Sequence, residues 1–201
     1  MPASERVLVD GPAGAIETVF ETPPGATTGI ALVAHPHPLF GGTLDNKVAQ
    51  TLARTFVELG YVAVRPNFRG VGQSAGAHDD GNGETDDLVA VIHAARRRLQ
   101  LADAPLVLAG FSFGSLVQSR VAQRVAAQRI VFVGTAVTRG HVLPVPADSI
   151  VIHGEKDDVV PLDLVLRWAE PQELPVTVIA GADHFFHRRL HIIRDIIKAA
   201  W

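Results

Sequence analysis

The chain has 201 residues, of which 47% are hydrophobic and 19% are charged, and this composition indicates one domain spanning 1–201. It contains no cysteine, which excludes a disulfide framework, a thiolate metal site and a cysteine nucleophile. The formal net charge of −3 shows none of the basic excess typical of general nucleic-acid binders, so we expect no nucleic-acid partner.

The N-terminal residues Met1–Arg6 lack the charged-then-apolar pattern of a signal peptide. No apolar run approaches the roughly 18–20 residues that are needed to cross a bilayer. We therefore expect a cytoplasmic protein that is not attached to a membrane. The sequence leaves its assembly open between a monomer and a homodimer.

Short apolar runs bounded by turn residues recur along the chain and predict β-strands. Ala15–Thr22 alternates loosely and is expected to form an antiparallel edge hairpin with Val7–Asp10. The continuous runs that follow are typical of strands covered on both faces. These runs are Gly29–Ala34, Val62–Val64, Leu106–Ala109, Ile130–Val133, Ser149–Ile152 and Val176–Ala180.

Helical patterns fill the intervals between these runs. The apolar spacing over Val48–Leu59 predicts a helix that ends at Gly60, and Thr85–Asp87 is expected to cap the next helix, with Arg96–Arg98 in its last turn. Further helices are predicted at Leu116–Ala127, Leu162–Ala169 and His187–Ala199. The alternation predicts an α/β fold with a mostly parallel central sheet and helices on both faces. Ligands bind such sheets at the C-terminal ends of the strands.

The sharpest pattern is GFSFG at Gly110–Gly114, which directly follows one predicted strand and precedes a helix. A serine on such a sharp turn projects its hydroxyl above the sheet, while the glycines let strand and helix approach closely. We therefore predict that Ser112 is a nucleophile. The alternative is a tight turn with a capping serine or an anion-binding loop. Ser115 lies one helical turn deeper, where packing or capping is the expected role.

A serine nucleophile needs a base, and the chain order in this architecture is serine, acid, histidine. Among the later histidines, His184 is predicted as the base because it lies in a loop just after a predicted strand. His141 is the weaker alternative, in the loop after another strand. His187 and His191 are four residues apart, but they lack a third metal ligand nearby and are expected at the surface.

The base in turn needs an orienting carboxylate. Asp157 is predicted for this role because it lies in the turn that follows Ser149–Ile152, at the expected active edge. The adjacent Asp158 is its main competitor. Asp148 precedes the same strand and so belongs to the opposite edge, and Asp183 is interpreted as a turn residue.

The oxyanion formed on attack at an acyl group needs two N–H donors. The first is predicted from Phe113, which follows the nucleophile. The second should come from the loop after Gly29–Ala34, where the prolines cannot donate, so His37 and Leu39 remain as alternatives. His35 and His37 also form a His-x-His pair. A metal-dependent hydrolase centred on this pair is one alternative, but the usual continuation of the motif is missing, so no metal or cofactor is expected.

In their order along the chain, these motifs resemble the α/β-hydrolase superfamily over nearly the whole sequence. The loop Gly41–Lys47 resembles small, lid-less bacterial predicted hydrolases akin to dienelactone-hydrolase-like esterases. The resemblance implies hydrolysis of carboxylic esters or related small acyl substrates without a cofactor, and it implies a structural role for Arg69. The motifs that carry it are His35–Pro38, Arg69–Ser74, the elbow at Ser112, His153–Asp157 and Gly181–His184.

Members of the superfamily usually insert a lid after the strand that corresponds to Ile130–Val133, but here Gly134–Asp148 is too short for a helical cap. We therefore expect an open site. Its expected apolar lining is Phe40, Phe111, Phe113, Val159 and Phe185. The alternatives are a non-catalytic scaffold that serves as a binding module, or a thioesterase, peptidase or acyltransferase with the same triad.

Overall fold

The computed structural model describes residues 3–201, so Met1 and Pro2, the first residues of the segment that lacks a signal-peptide pattern, lie outside the described residues. The strands are β1 (Ala3–Gly11), β2 (Gly14–Thr22), β3 (Gly29–Ala34), β4 (Tyr61–Pro66), β5 (Leu106–Phe111), β6 (Arg129–Val133), β7 (Ile150–Gly154) and β8 (Val176–Ile179). The helices are α1 (Lys47–Glu58), α2 (Asn82–Leu99), α3 (Phe113–Val121), α4 (Leu162–Ala169) and α5 (Leu190–Ala199).

The eight strands form one sheet in the order β1-β2-β4-β3-β5-β6-β7-β8. β1 and β2 form an antiparallel hairpin in which Val7 pairs with Thr18, and β2 lies antiparallel to β4. The other neighbouring strands are parallel. The predicted α/β architecture and its edge hairpin are confirmed. Over residues 3–201, no helix combines the length and the apolar character that a bilayer crossing requires.

Two apolar layers cover the sheet, because successive side chains of a strand point to opposite faces. In β3, Ile30 and Leu32 pack into the layer that α2, α3 and α4 complete, whereas Ala31 and Val33 pack into the layer with α1 and α5. Every residue of β3 and β5 is buried, which explains their continuous apolar runs. With both faces covered, the C-terminal edge of the parallel strands is where a ligand can reach the sheet.

The N-terminus of α2 lies at Asn82, so the prediction that Thr85–Asp87 caps this helix was wrong. Gly81 precedes the helix with a φ of 88°, and the buried carboxylate of Glu84 accepts hydrogen bonds from two backbone N–H groups of the preceding loop, each at 2.9 Å. This carboxylate caps the helix from its third residue, which places Thr85–Asp87 inside the helix. The prediction that Arg96–Arg98 lie in the last turn is confirmed.

Two other helices are shorter than predicted. α3 ends well before Ala127, because the N–H of Gln128 already donates to a backbone carbonyl of β5 at 2.7 Å and so belongs to the sheet. α5 does not include His187, since Phe186 and Arg188 have φ values of 53° and 63°, which no right-handed helix contains.

Arg69 joins the loop after β4 to α2. Its guanidinium donates to both carboxylate oxygens of Asp87, at 2.8 and 2.9 Å, and to the carbonyl oxygen of Gly83 at 2.8 Å. A bidentate pair of this kind fixes orientation as well as distance. The geometry agrees with the structural role that the resemblance implied.

Candidate active site

Ser112 forms the turn between β5 and α3 and has a φ of 54° and a ψ of −121°, which residues with a side chain rarely adopt. A Cβ on Gly114 would lie 2.3 Å from the carbonyl oxygen of Ala34, and a Cβ on Gly110 would lie 2.5 Å from backbone atoms of Gly114. Both positions therefore exclude any side chain. The resulting tight turn places the Ser112 hydroxyl above the C-terminal edge of the sheet.

Ser115 supports this turn from below. Its hydroxyl donates to the carbonyl oxygen of Ser112 at 2.6 Å and accepts from the N–H of Ala136 at 3.1 Å. The side chain is completely buried, so the predicted packing or capping role agrees with its position.

Ser112, His184 and Asp157 form one continuous hydrogen-bonded chain. The hydroxyl of Ser112 lies 3.0 Å from Nε2 of His184, and Nδ1 of His184 lies 2.7 Å from Oδ2 of Asp157. Because a carboxylate accepts, Nδ1 carries the hydrogen and Nε2 is left to accept from the hydroxyl. All three residues are buried, although they come from the separate turns after β5, β7 and β8. The structure therefore brings together the three residues predicted as nucleophile, base and orienting acid.

The carboxylate of Asp157 is fixed by backbone donors of its own turn. Its Oδ1 accepts from the N–H of Val159 at 3.0 Å and from the N–H of Val160 at 2.7 Å. Burial opposes ionisation of this carboxyl, but the hydrogen bonds from His184 and from the N–H of Val160 lower the pKa of Asp157 below its usual value. By contrast, Asp158 is exposed and makes no side-chain hydrogen bond within residues 3–201, so the structure does not bring it to the site.

His153 contacts the same turn, and it was named from the sequence in the motif His153–Asp157 but without a role of its own. Its Nε2 donates to the carbonyl oxygen of Val160 at 2.9 Å and lies 3.4 Å from Oδ2 of Asp157. Burial lowers the pKa of this completely buried imidazole, despite the opposing hydrogen bond to Val160. The predicted strand ended at Ile152, whereas β7 continues to Gly154, so no signal in the sequence distinguished this buried strand residue from a turn residue.

The other histidines after the elbow lie away from the hydroxyl. His141 is exposed in the loop between β6 and β7, and His191 is exposed on α5. His187 lies before α5, where its Nδ1 is 2.6 Å from Oδ2 of Asp183. None of these three imidazoles is hydrogen-bonded to Ser112 in the described part of the chain.

The loop after β3 folds into a tight 3-10 turn over Pro38–Phe40. The N–H of Leu39 donates to Nδ1 of His37 at 3.3 Å, and the side chain of Leu39 is 69% exposed. The N–H of His37 has no acceptor in the described residues, and its ring lies 4.7 Å from the ring of Phe113, between centroids. Phe113 is the first residue of α3, where a backbone N–H has no acceptor in its own helix.

His35 is completely buried beneath this loop. The N–H of Phe68 donates to its Nε2 at 2.9 Å, and its Nδ1 donates to the carbonyl oxygen of Pro36 at 2.6 Å. Both ring nitrogens of His35 are therefore hydrogen-bonded within the protein. Nδ1 of His37 accepts from the N–H of Leu39, so both imidazoles stabilise the loop. Burial lowers the pKa of His35 to about 4, despite the opposing hydrogen bond to Pro36.

The burial of His35 predicts a loss of stability in mild acid. Below about pH 6.5 the unfolded chain takes up a proton at this imidazole, whereas the folded chain takes it up only near pH 4, so stability falls as the pH drops through this window and is unaffected above it. The difference between these two pKa values corresponds to about 3 kcal/mol of folding free energy. Between about pH 7 and about pH 4.5, the fall in the free energy of unfolding measured with urea should be about 2–3 kcal/mol smaller in His35→Gln than in wild type, where the buried His153 contributes to the fall in both proteins.

The exposed His93 provides the matched control, since His93→Gln should keep the full wild-type drop between the two pH values. An equal drop in wild type and in His35→Gln would contradict a neutral, buried His35.

A cleft of about 270 Å³ opens above Ser112 and His184. The expected Phe40, Val159 and Phe185 line it, but Phe111 and Phe113 do not. These two rings are buried, and they pack beneath the imidazoles of His184 and His37, with centroids 5.1 and 4.7 Å apart. The cleft also has a polar part. Its polar side chains besides Ser112 and His184 are His37, Asn46 and Arg139.

The segment between β6 and β7 contains no helix and cannot form a helical cap over the cleft. The expectation of a lid-less site is therefore confirmed for this part of the chain.

Comparison with known proteins gives the family. The model of the alpha/beta hydrolase fold family matches residues 37–149, a range that includes Ser112 but ends before Asp157 and His184. An uncharacterized protein of Rickettsia prowazekii is 33% identical over 195 residues, covering 90% of this chain and 82% of the relative.

Similar solved structures include two serine hydrolases. An α/β serine hydrolase without a lid from Xanthomonas campestris is 36% identical, with a TM-score of 0.90 over 98% of this chain and 93% of its own. An α/β serine hydrolase homologue from Coxiella burnetii is also 36% identical, with a TM-score of 0.86 over 96% of this chain and 95% of its own.

The likeness in fold extends to a dienelactone hydrolase from Anabaena variabilis, at 18% identity and a TM-score of 0.78 over 98% of this chain and 96% of its own. The serine-hydrolase relatives support hydrolase activity in general. The family model matches more than half of the chain, and the structure from Xanthomonas campestris matches nearly all of it. The chain therefore belongs to the α/β-hydrolase family, as a member without a lid.

Proposed function

We propose that this protein is a serine hydrolase that cleaves carboxylic esters or related small acyl substrates through an acyl-enzyme. The observation that carries the proposal is the hydrogen-bonded chain from Ser112 through His184 to Asp157, with the hydroxyl at the floor of an open cleft. In this proposal Ser112 is the nucleophile, His184 transfers the proton and Asp157 orients the imidazole.

In the acylation step, Oγ of Ser112 attacks the acyl carbon and its proton moves to Nε2 of His184. The carbonyl electron pair moves onto oxygen, and the ionised Asp157 stabilises the imidazolium that forms. When the tetrahedral intermediate collapses, His184 returns the proton to the leaving oxygen, and the alcohol departs. Water then attacks the acyl-enzyme, giving its proton to His184, and release of the acid returns a proton to Ser112.

The N–H groups of Phe113 and His37 are proposed to bind the oxyanion. Phe113 follows the nucleophile and starts α3, and its ring packs against that of His37. The earlier alternative, Leu39, fits less well, because its N–H already donates to Nδ1 of His37. Backbone N–H donors that are held in place before the reaction act without reorganisation, which is the usual source of oxyanion stabilisation.

A substrate panel tests the proposed reaction. We expect turnover of 4-nitrophenyl esters of short acyl chains and loss of that turnover after treatment with a fluorophosphonate. Matched thioesters and 4-nitroanilides identify the preferred acyl bond. Turnover that survives the fluorophosphonate would contradict a serine mechanism, whereas a complete lack of turnover in all arms would favour a non-catalytic binding module.

The assignment of the acid predicts unequal effects at two adjacent residues. Asp157→Asn should lower kcat/KM by about 10³–10⁴-fold, because an amide cannot hold the imidazole in the tautomer that accepts from the hydroxyl. Asp158→Asn should stay within about twofold, since this exposed side chain makes no contact with the site. Steady-state kinetics on one 4-nitrophenyl ester measures both. A larger loss in Asp158→Asn would show that the carboxylate assignment is wrong by one residue.

A further inference from the structure

The polar side of the cleft consists of hydrogen-bond donors. Besides Ser112 and His184, the polar side chains that line it are those of His37, Asn46 and Arg139, and no Asp or Glu of the described residues lines it. The hydrogen bonds that each of these three side chains already makes show which of its donors are free to bind a substrate group.

Arg139 is the charged side chain of the cleft. It is exposed on the loop between β6 and β7, and its guanidinium carbon lies 4.7 Å from the ring centroid of Phe40. Within residues 3–201 no carboxylate lies within 4.0 Å of this guanidinium, and it makes no side-chain hydrogen bond. Its N–H groups are therefore available while the cation rests on an aromatic face.

Asn46 lines the cleft, and the oxygen of its side chain is already hydrogen-bonded. The oxygen accepts from the N–H groups of Val48 and Ala49, at 2.9 and 3.3 Å, and so caps α1. This assigns the oxygen to the helix, and the amide N–H₂ has no acceptor among the described residues.

His37 is also set up as a donor. Because the N–H of Leu39 donates to Nδ1, the hydrogen of the neutral ring is on Nε2, which has no hydrogen-bond acceptor in the described part of the chain. Burial, with the neighbouring His78 and Arg139, lowers the pKa of His37 and favours this neutral form.

We propose that this side of the cleft binds an anionic oxygen group, a carboxylate or a phosphate, carried by the ester substrate. The inference rests on the proposed ester hydrolysis and names its substrate class. Arg139 supplies the charge, and Asn46 and His37 supply neutral donors. A purely aliphatic ester would remove these donors from water without giving them an acceptor, which is unfavourable. An anionic group pairs with them, and the apolar side chains of the cleft contact the carbon chain beside it.

The test compares anionic esters with neutral esters of matched shape. For the acyl side, mono-4-nitrophenyl adipate is compared with 4-nitrophenyl 6-methylheptanoate, in which an isopropyl group replaces the carboxylate. For the leaving-group side, 4-acetoxybenzoate is compared with 4-isopropylphenyl acetate, and 4-acetoxyphenyl phosphate is compared with 4-tert-butoxyphenyl acetate. The measured quantity is the ratio of kcat/KM for the anionic ester to that for its neutral partner.

In the wild-type enzyme at least one ratio should exceed one, and the pair that shows it identifies both the anion and the side of the ester that carries it. Arg139→Gln should lower that ratio by about tenfold or more, mainly through KM, and Arg139→Lys should restore part of it. Arg97→Gln makes the same change of net charge on the exposed last turn of α2, away from the cleft, and should leave the ratio at the wild-type value.

Three outcomes overturn the inference. Ratios below one for every pair, or an equal fall in Arg97→Gln and Arg139→Gln, would show that the cleft has no anion site. An unchanged ratio in Arg139→Gln would show that this guanidinium does not bind the anion. These outcomes are distinct from a failure of the proposed function, in which neither the anionic nor the neutral esters are hydrolysed, or hydrolysis survives a fluorophosphonate.

Discussion

Ser112→Ala is expected to remove ester hydrolysis almost completely, with a fall in kcat of about 10⁵–10⁶-fold. The hydroxyl is the atom that bonds to the acyl carbon, so its loss prevents the acyl-enzyme from forming. Alanine keeps the Cβ and therefore tolerates the φ of 54° as well as serine does. We expect little change in the free energy of unfolding, because the hydroxyl of Ser112 makes one side-chain hydrogen bond within residues 3–201, to His184. Steady-state kinetics and urea unfolding on the same preparation measure the two effects.

Ser115→Ala is the informative comparison for this result. The lost hydroxyl leaves the buried N–H of Ala136 without its acceptor, so unfolding should become easier by about 1–3 kcal/mol. The nucleophile remains, and the variant should still form an acyl-enzyme. Residual turnover in Ser112→Ala that approaches that of Ser115→Ala would contradict the assignment of the nucleophile.

His184→Ala should lower kcat by a similar factor of about 10⁵–10⁶, because no other imidazole is hydrogen-bonded to the Ser112 hydroxyl within residues 3–201. The same change also leaves the buried carboxylate of Asp157 without its main partner, and the fold is less stable as a result. His184→Gln therefore accompanies it, since an amide N–H can still donate to the carboxylate while it provides no base. Both variants should be inactive, and His184→Gln should unfold at a higher urea concentration than His184→Ala.

His187→Ala provides the matched control. The side chain of His187 is 72% exposed, and its imidazole pairs with Asp183 at the surface. Activity should therefore stay within about twofold of wild type. Loss of activity in His187→Ala, with activity retained in His184→Gln, would reverse the assignment of the base.

The fold could be predicted from the sequence because its strands are buried on both faces. Continuous apolar runs such as Gly29–Ala34 left little choice of element, and β3 has those bounds. Helix ends were predicted less well, since they depend on contacts at a distance in the chain or on backbone conformation. The start of α2 is set by the buried Glu84 carboxylate, and the start of α5 by the positive φ of Arg188.

The three residues of the hydrogen-bonded chain could be predicted for a different reason. Each lies in the turn or loop that follows a strand, and the C-terminal ends of parallel strands meet at one edge of the sheet. The expected order along the chain, serine, then acid, then histidine, further limited the choice of residues. The choice of Asp157 over Asp158 agrees with the structure because two backbone N–H groups hold the former carboxylate inward.

The support around these residues could not be predicted in the same way. Whether Leu39 or His37 has the free N–H depends on one side-chain hydrogen bond inside a tight turn. The contact of His153 with Asp157 depends on where β7 ends. The aromatic residues Phe111 and Phe113 were expected in the cleft, but the sharp turn at the elbow directs both into the core.

Peptide mapping after reaction with a fluorophosphonate is the decisive measurement for Ser112 as the nucleophile. We expect one phosphonyl group per chain, on the peptide that contains Ser112, formed in proportion to the loss of ester hydrolysis and greatly slowed in His184→Ala. A modified residue other than Ser112, or a protein that loses activity without carrying the group, would contradict the proposed mechanism.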